Sequence, residues 1–236
     1  MGLRGVEILL ESAWPALALS LKVACWATAI TGVVGIGLGY LLARSRFVGR
    51  DLLDTLLTLP MVLPPTVVGY YLLVLLGRKG ALGHWLEQSW GMNLIFTWQG
   101  AVIAASVVAL PLIVKPARAA FEAVDDQLED AARVLGLSAM AVFCRVTLPL
   151  AWRGILAGIL LGFARSLGEF GATLMVAGSI PGRTQTLSVA VYEAVQAGDD
   201  GLANTLVLII STVCVLVLLM ANRLAPGHQA YQRGRS

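Results

Sequence analysis

The segment DDQLEDAARVLGLSAMAVFCRVTLP, residues 125–149, lies between two apolar runs, and its reading decides how the chain is built. On its N-terminal side Asn93–Val114 carries no charge. On its C-terminal side Gly154–Ile180 is interrupted only by Arg165 and Glu169. Within the segment and just before it, Val124, Leu128, Ala131, Ala132 and Leu135 recur at helical spacing. Asp125 or Asp126 can cap the start, because a carboxylate accepts the free backbone N–H groups of a first turn. Gly136 suits the left-handed position that ends a helix. Ser138 can cap a second short helix, which Pro149 closes as the chain turns back into an apolar run. The segment therefore reads as helix, glycine turn, helix, held between two long apolar stretches.

Those stretches are membrane-sized. A span needs ~20 apolar residues, and Val23–Leu42, Leu56–Gly77 and Gly201–Asn222 are also free of charge. The first begins nearer Trp14, with Lys22 snorkelling outward. Five spans result, at about 14–42, 56–77, 93–114, 154–180 and 201–222, in one transmembrane domain over 12–224 with a short polar tail at 225–236. A soluble domain is ~25% charged, whereas this chain of 236 residues is 13% charged and 58% hydrophobic. The expected fold class is all-α and polytopic, with a long loop at 115–153. The N-terminus lacks the compact basic start and small-residue cleavage site of a signal peptide, so the first apolar run is expected to be retained.

Basic residues sort by loop. Eleven of them (Arg44, Arg46, Arg50, Lys115, Arg118, Arg133, Arg145, Arg153, Arg223, Arg233 and Arg235) fall on the side of the 115–153 loop. Arg4, Arg78, Lys79 and Arg183 fall on the other. By the positive-inside rule the long loop and the C-terminus are cytoplasmic and the N-terminus is outside. Trp14, Trp85, Trp90 and Trp98 then mark the outer boundary.

Several classes are excluded. A net charge of +3 with no aromatic–basic cluster gives no nucleic-acid site. Cys25, Cys144 and Cys214 form no CxxC pair, and His84 and His228 lie outside the apolar runs, so no metal site is expected. No span contains His or Asp, which removes an intramembrane protease. No glycine-rich phosphate loop of the G-x-x-x-x-G-K-[ST] kind occurs, so any ATP chemistry belongs to a partner, and no cofactor is expected. A channel or membrane scaffold has no need of the long loop.

Asp130-Ala131-Ala132, three residues, Gly136, nine residues, Val146, one residue, Leu148-Pro149 resembles the E-A-A-x3-G-x9-I-x-L-P loop of ATP-binding-cassette importer permeases, with Asp and Val as conservative departures. The resemblance implies the type I importer permease fold. It also implies that Glu129, Asp130, Ala131, Ala132, Leu135, Gly136 and Leu137 belong to a coupling helix seated in a cleft of an ATPase subunit. Leu59–Tyr70 (LPMVLPPTVVGY), Phe163–Thr173 (FARSLGEFGAT) and Ile180–Thr184 (IPGRT) are similar to the molybdate branch, and sulfate permeases share the G-E-F-G stretch. Implied partners are a second copy of the chain, two ATPase subunits, an external oxyanion-binding protein and the lipid of a bacterial cytoplasmic membrane. The cargo is expected to be molybdate, with tungstate and sulfate as alternatives.

Two further groups of residues bear on transport. Pro60, Pro64 and Pro65, followed by Thr66, lack backbone donors and break the second span, either as a gate in a pore wall or as a static kink. Arg165 and Glu169, four residues apart, can pair. Together with Ser166 and Thr173 they either line an anion path or fix helix packing, and packing is favoured because a lone Glu169 repels a dianion. Arg78, Lys79 and Arg183, in the outer loops 78–92 and 179–200, are candidates for docking the binding protein. Gly35 with Gly39, and Gly154 with Gly158 and Gly162, give small-residue stripes for close helix packing.

Overall fold

The computed structural model describes residues 3–224. The tail 225–236, including His228, Arg233 and Arg235, and the side chains of residues 1–12, including Arg4, lie outside the described residues. Eleven α-helices and one π turn follow in order: α1 (Leu3–Arg44), α2 (Arg50–Val62), α3 (Pro65–Leu76), α4 (Ala81–Trp90), α5 (Trp98–Glu122), α6 (Asp126–Val134), α7 (Ala139–Val142), the π turn (Phe143–Thr147), α8 (Leu148–Leu167), α9 (Gly171–Ala177), α10 (Leu187–Gln196) and α11 (Asp200–Leu224). No strand occurs among the described residues.

Among the described residues four segments are long and apolar enough to cross a membrane: Ala13–Arg44, Trp98–Glu122, Ala139–Leu167 and Asp200–Met220. The pair α2–α3 makes a fifth, bent by 113° at its break. The cause lies in three residues. Leu63 precedes a proline and is driven to extended backbone (φ −70°, ψ 143°). Pro64 and Pro65 donate nothing, and Pro65 suits the first turn of α3, where no donor is needed. Pro60 lies inside α2 and does not end it.

The centre of the bundle is α5, 61% buried over its span, while α11 is 11% buried and turns Leu208, Val215, Leu216 and Leu219 outward. The small-residue stripes clamp α5 from two sides. A Cβ on Gly35 or Gly39 of α1 would stand 2.9 Å from Ile113 or 3.0 Å from Ala117. A Cβ on Gly154 or Gly162 of α8 would stand 2.7 Å from Ala120 or 2.6 Å from Ile113. Backbones that must approach this closely exclude larger side chains, and dispersion between them replaces a hydrophobic force that lipid does not supply.

Two expectations differ in detail. The run 154–180 is not one helix. α8 stops at Leu167, Gly168–Phe170 leave helical geometry, and α9 restarts at Gly171. The span gains its length upstream instead, because α7, the π turn and α8 are continuous from Ala139. Consequently Pro149 closes no helix. It sits in the first turn of α8, and the π turn before it widens the ladder where the proline has no N–H.

Candidate functional site

The loop between α5 and α8 is built on α6. The Asp125 carboxylate accepts from the Gln127 N–H at 2.9 Å, and α6 follows. At its end Gly136 adopts φ +86°. Gly136 N–H donates to the Arg133 carbonyl at 2.9 Å and Leu137 N–H to the Ala132 carbonyl at 3.2 Å, a Schellman turn. Ser138 Oγ then accepts from Ala141 N–H at 3.3 Å and starts α7.

α6 has two faces. The inner one carries Glu129 and Ala132, both buried against this chain. Glu129 Oε1 accepts from Arg44 Nη2 at 2.8 Å and from the buried Thr147 hydroxyl at 2.8 Å. Arg133 Nη2 lies 3.3 Å from Glu129 Oε2. Arg44 also reaches Asp126 at 2.5 Å and the Val124 carbonyl at 3.2 Å. One arginine at the end of α1 thus fastens the start of α6. Next to it Tyr40, Phe121 and Phe143 stack edge to face, with ring centroids 4.8 and 5.3 Å apart for the two Tyr40 pairs.

The outer face is apolar and uncovered. Leu128 is 50% and Val134 87% exposed, with Ala131 exposed as well, and past the end of the helix Leu135 is 83% and Met140 of α7 71% exposed. Asp130 sits on the rim, 2.6 Å from Arg133. Of the seven coupling-helix residues, then, Ala131, Leu135 and Gly136 face away from the bundle, Leu137 is half-buried, and Glu129 and Ala132 face inward. Ala132 and Ala131 do not form one smooth docking face, because adjacent residues on a helix stand about 100° apart. Arg44 and Thr147, which hold Glu129, were not singled out from sequence. In the sequence Arg44 carries only a topology signal and Thr147 none.

The bent pair forms a second part of the site. α2 buries none of its residues, and ion pairs fix it to α5. Lys115 Nζ lies 2.7 Å and Arg118 Nη1 3.2 Å from the Asp54 carboxylate, and Arg118 Nε donates to Glu122 at 2.8 Å. α3 packs on α9 so closely that a Cβ on Gly69 would meet Ala172 Cα and Met175 Cβ at 2.8 Å. Gly171 likewise faces Pro65 Cβ and Thr66 N at 3.1 Å. The fold therefore brings Pro65 and Thr66 to the 169–173 turn, while Pro64 and Thr66 stay exposed.

At that turn Arg165 Nη1 lies 2.7 Å from Glu169 Oε2, and Glu169 Oε1 accepts from Ala172 N–H at 2.8 Å. Glu169 is 2% exposed and acts as the cap of α9. The pair thus links the end of α8 to the first turn of α9. Ser166 Oγ and Thr173 Oγ1 are buried with no hydrogen-bond partner among the described residues. The three outer cations do not gather. Arg78 and Lys79 line one depression with Tyr71 and Ala81, and Arg78 lies 3.6 Å from Glu87. Arg183 lines a different cavity with Lys22. Among the described residues no three His, Cys, Asp or Glu side chains gather to hold a metal ion.

Comparison with known proteins places this arrangement. Residues 35–228 match the family described as "Binding-protein-dependent transport system inner membrane component". The molybdenum transport system permease protein ModB of Escherichia coli K12 is 45% identical over 214 residues, covering 90% of this chain and 93% of that protein. A putative molybdenum transport system permease of Bacillus subtilis, YvgM, is 43% identical over 85% of this chain and 88% of its own length. The sulfate transport system permease CysT of E. coli K12 is 34% identical over 84% and 71%. The fold matches a chain of a bacterial importer of the polysaccharide alginate (TM-score 0.70, 17% identity, 95% and 83% covered) and one of the methionine transporter MetNI (0.66, 17%, 95% and 98%). With the family model spanning most of the chain and the helices forming the importer permease fold, this protein belongs to the binding-protein-dependent transport system inner membrane components, as a multi-pass membrane subunit of an ABC importer.

Proposed function

We propose that the chain is the pore-forming permease of an ATP-driven molybdate importer and works as two copies with two ATPase subunits and an external oxyanion-binding protein. The observation that carries the coupling role is the two-faced α6. Its inner face is ion-paired to the bundle through Glu129, while its outer face leaves Leu128, Ala131 and Leu135 uncovered. An apolar stripe on a helix whose polar face is already satisfied needs an apolar groove to cover it. An ATPase subunit with such a groove would push α6 on closing, and the Arg44–Glu129–Thr147 contacts would pass that push to α1 and α8. The loop side is then cytoplasmic, which agrees with its basic residues, and the N-terminus is outside. Arg78 and Lys79, at the opposite ends of the helices, are the candidates for meeting the binding protein. The chain itself hydrolyses nothing.

Molybdate is favoured over sulfate by the higher identity to relatives named for molybdenum transport (45% against 34%). The test is cellular molybdenum after deletion of the gene, at low external molybdate, with and without excess sulfate. A deficit repaired by extra molybdate and indifferent to sulfate supports the reading. Normal molybdenum with impaired growth on sulfate moves the cargo to sulfate and leaves the importer standing.

A further inference from the structure

Lys22 and Arg183 share a cavity of about 420 Å³ at the end of the bundle away from α6. The Lys22 side chain and the backbone at Arg183 are each held in place. The Lys22 ammonium lies 3.7 Å from the centroid of the Trp98 ring. Arg183 belongs to a tight turn in which the Ile180 carbonyl accepts from the N–H groups of Arg183 and Thr184 at 3.0 and 2.9 Å. The buried Thr184 hydroxyl closes that turn by accepting from Ile180 N–H at 3.0 Å. No carboxylate lines the cavity, and neither cation makes an ion pair among the described residues. The Gln99 amide adds a further donor at the wall.

A second cavity adjoins the first. Trp98 and Gln99 also line an apolar groove of about 220 Å³, with Trp26 and Ile30 of α1 and Val102 and Ile103 of α5. Lys22, Trp26 and Ile30 are four residues apart in turn and so share one face of α1. At 1.5 Å per residue Ile30 lies ~12 Å further along the helix than Lys22. Half of a bilayer's hydrocarbon core is ~15 Å. Two cations without carboxylate partners thus flank the head of an apolar trough whose length is close to that of one leaflet.

We propose that this composite site holds one anionic phospholipid, with its phosphate between Lys22 and Arg183 and one acyl chain in the α1–α5 groove. A free oxyanion would use only the cationic half and leave the trough empty. A protein partner docking from solution would not reach the depth of Ile30. Two uncompensated positive charges select a lipid with net negative charge, such as phosphatidylglycerol, over zwitterionic phosphatidylcholine. The site does not depend on which oxyanion the importer carries.

The test is native mass spectrometry of the purified complex in detergent, counting retained lipid per chain after equilibration with dioleoylphosphatidylglycerol or dioleoylphosphatidylcholine. The expected result is selective retention of phosphatidylglycerol. Lys22→Gln or Arg183→Gln should each weaken it by roughly fivefold, Arg183→Lys should restore it, and Ile30→Trp should weaken it by filling the trough. Arg183 is exposed in a surface turn, so its variants remain informative if Lys22→Gln assembles poorly. Equal retention of the two lipids, or unchanged retention in the Arg183→Gln and Ile30→Trp variants, overturns the proposal. So does displacement of the bound lipid by millimolar inorganic phosphate, which would make the cavity a site for free oxyanion.

Discussion

Replacing Glu129 by Gln removes one negative charge from the inner face of α6 with almost no change of shape. Its side chain is 4% exposed, and the Arg44 guanidinium 2.8 Å away is 18% exposed, so this contact is poorly screened. A hydrogen bond to a charged group contributes ~1.5–3 kcal/mol. The Arg133 contact is longer, at 3.3 Å, and Arg133 is 51% exposed, so it contributes a few tenths, about 0.3 kcal/mol. Gln keeps an acceptor for the Thr147 hydroxyl, and Arg44 keeps Asp126, which sets the loss near the lower end, ~2 kcal/mol. At 1.4 kcal/mol per decade that is about a 30-fold rise in the open population of α6. α6 can open without global unfolding, because Glu129 and Ala132 are the only residues of the helix that are buried. Amide hydrogen exchange of residues 127–135 should accelerate by about that factor, while α5 amides stay unchanged. Thr147→Val should accelerate the same amides about fivefold, from ~1 kcal/mol. The two effects should not add, since both donors share Oε1. Exchange within threefold of wild type in Glu129→Gln would show that the ion pair does not hold α6, and the route proposed for transmitting ATPase closure would fail with it.

Four further outcomes follow from other positions. Gly136→Ala should cost ~1–2 kcal/mol, because φ is +86° although nothing lies within 4 Å of the added Cβ; more ATP hydrolysed per molybdate imported would be the readout. Gly69→Val should lower the melting temperature by overpacking α3 on α9, at a cost of ~1–3 kcal/mol or more, while Gly37→Ala, at an open position on α1, should raise stability by up to ~1 kcal/mol. Asp54→Asn should free α2 from Lys115 and Arg118, and a spin label at Leu59 should become more mobile; the change is modest, ~1 kcal/mol, because Lys115 is 41% exposed.

Much of this architecture was legible because lipid imposes simple rules. The glycine stripes and the Pro64–Pro65 break each have a local cause and appear where their residues stand, whereas the charge-free run 93–114 marks a helix that in fact lies at Trp98–Glu122. The α6 caps were equally local: a carboxylate before the helix and a glycine after it. What escaped depends on distant residues. Spacing marked Ala131 and Ala132 as apolar but could not tell which faced the bundle, since that is decided by Arg44, 85 residues from Glu129 along the chain. The break after Leu167 was hidden in an apolar run because it needs Glu169 to turn back and cap α9. The π turn before Pro149 was hidden for a similar reason. A proline in a short pattern reads as a stop, and only a widened turn lets the helix carry on.

That continuity extends α8 well into the loop. From Ala139 to Leu167 the chain is one unbroken helical rod of ~43 Å at 1.5 Å per residue. α6 itself is separated from α5 by the non-helical Ala123, Val124 and Asp125, and from the rod by the turn at 135–138. Force that reaches Ala139 therefore meets a stiff shaft towards α8. The shaft ends beside Arg165, one turn from the buried Glu169 that starts α9 and from the glycine contact of α9 with the bent pair. A displacement at Ala139 is thus delivered lengthwise, to the point where the chain next changes direction.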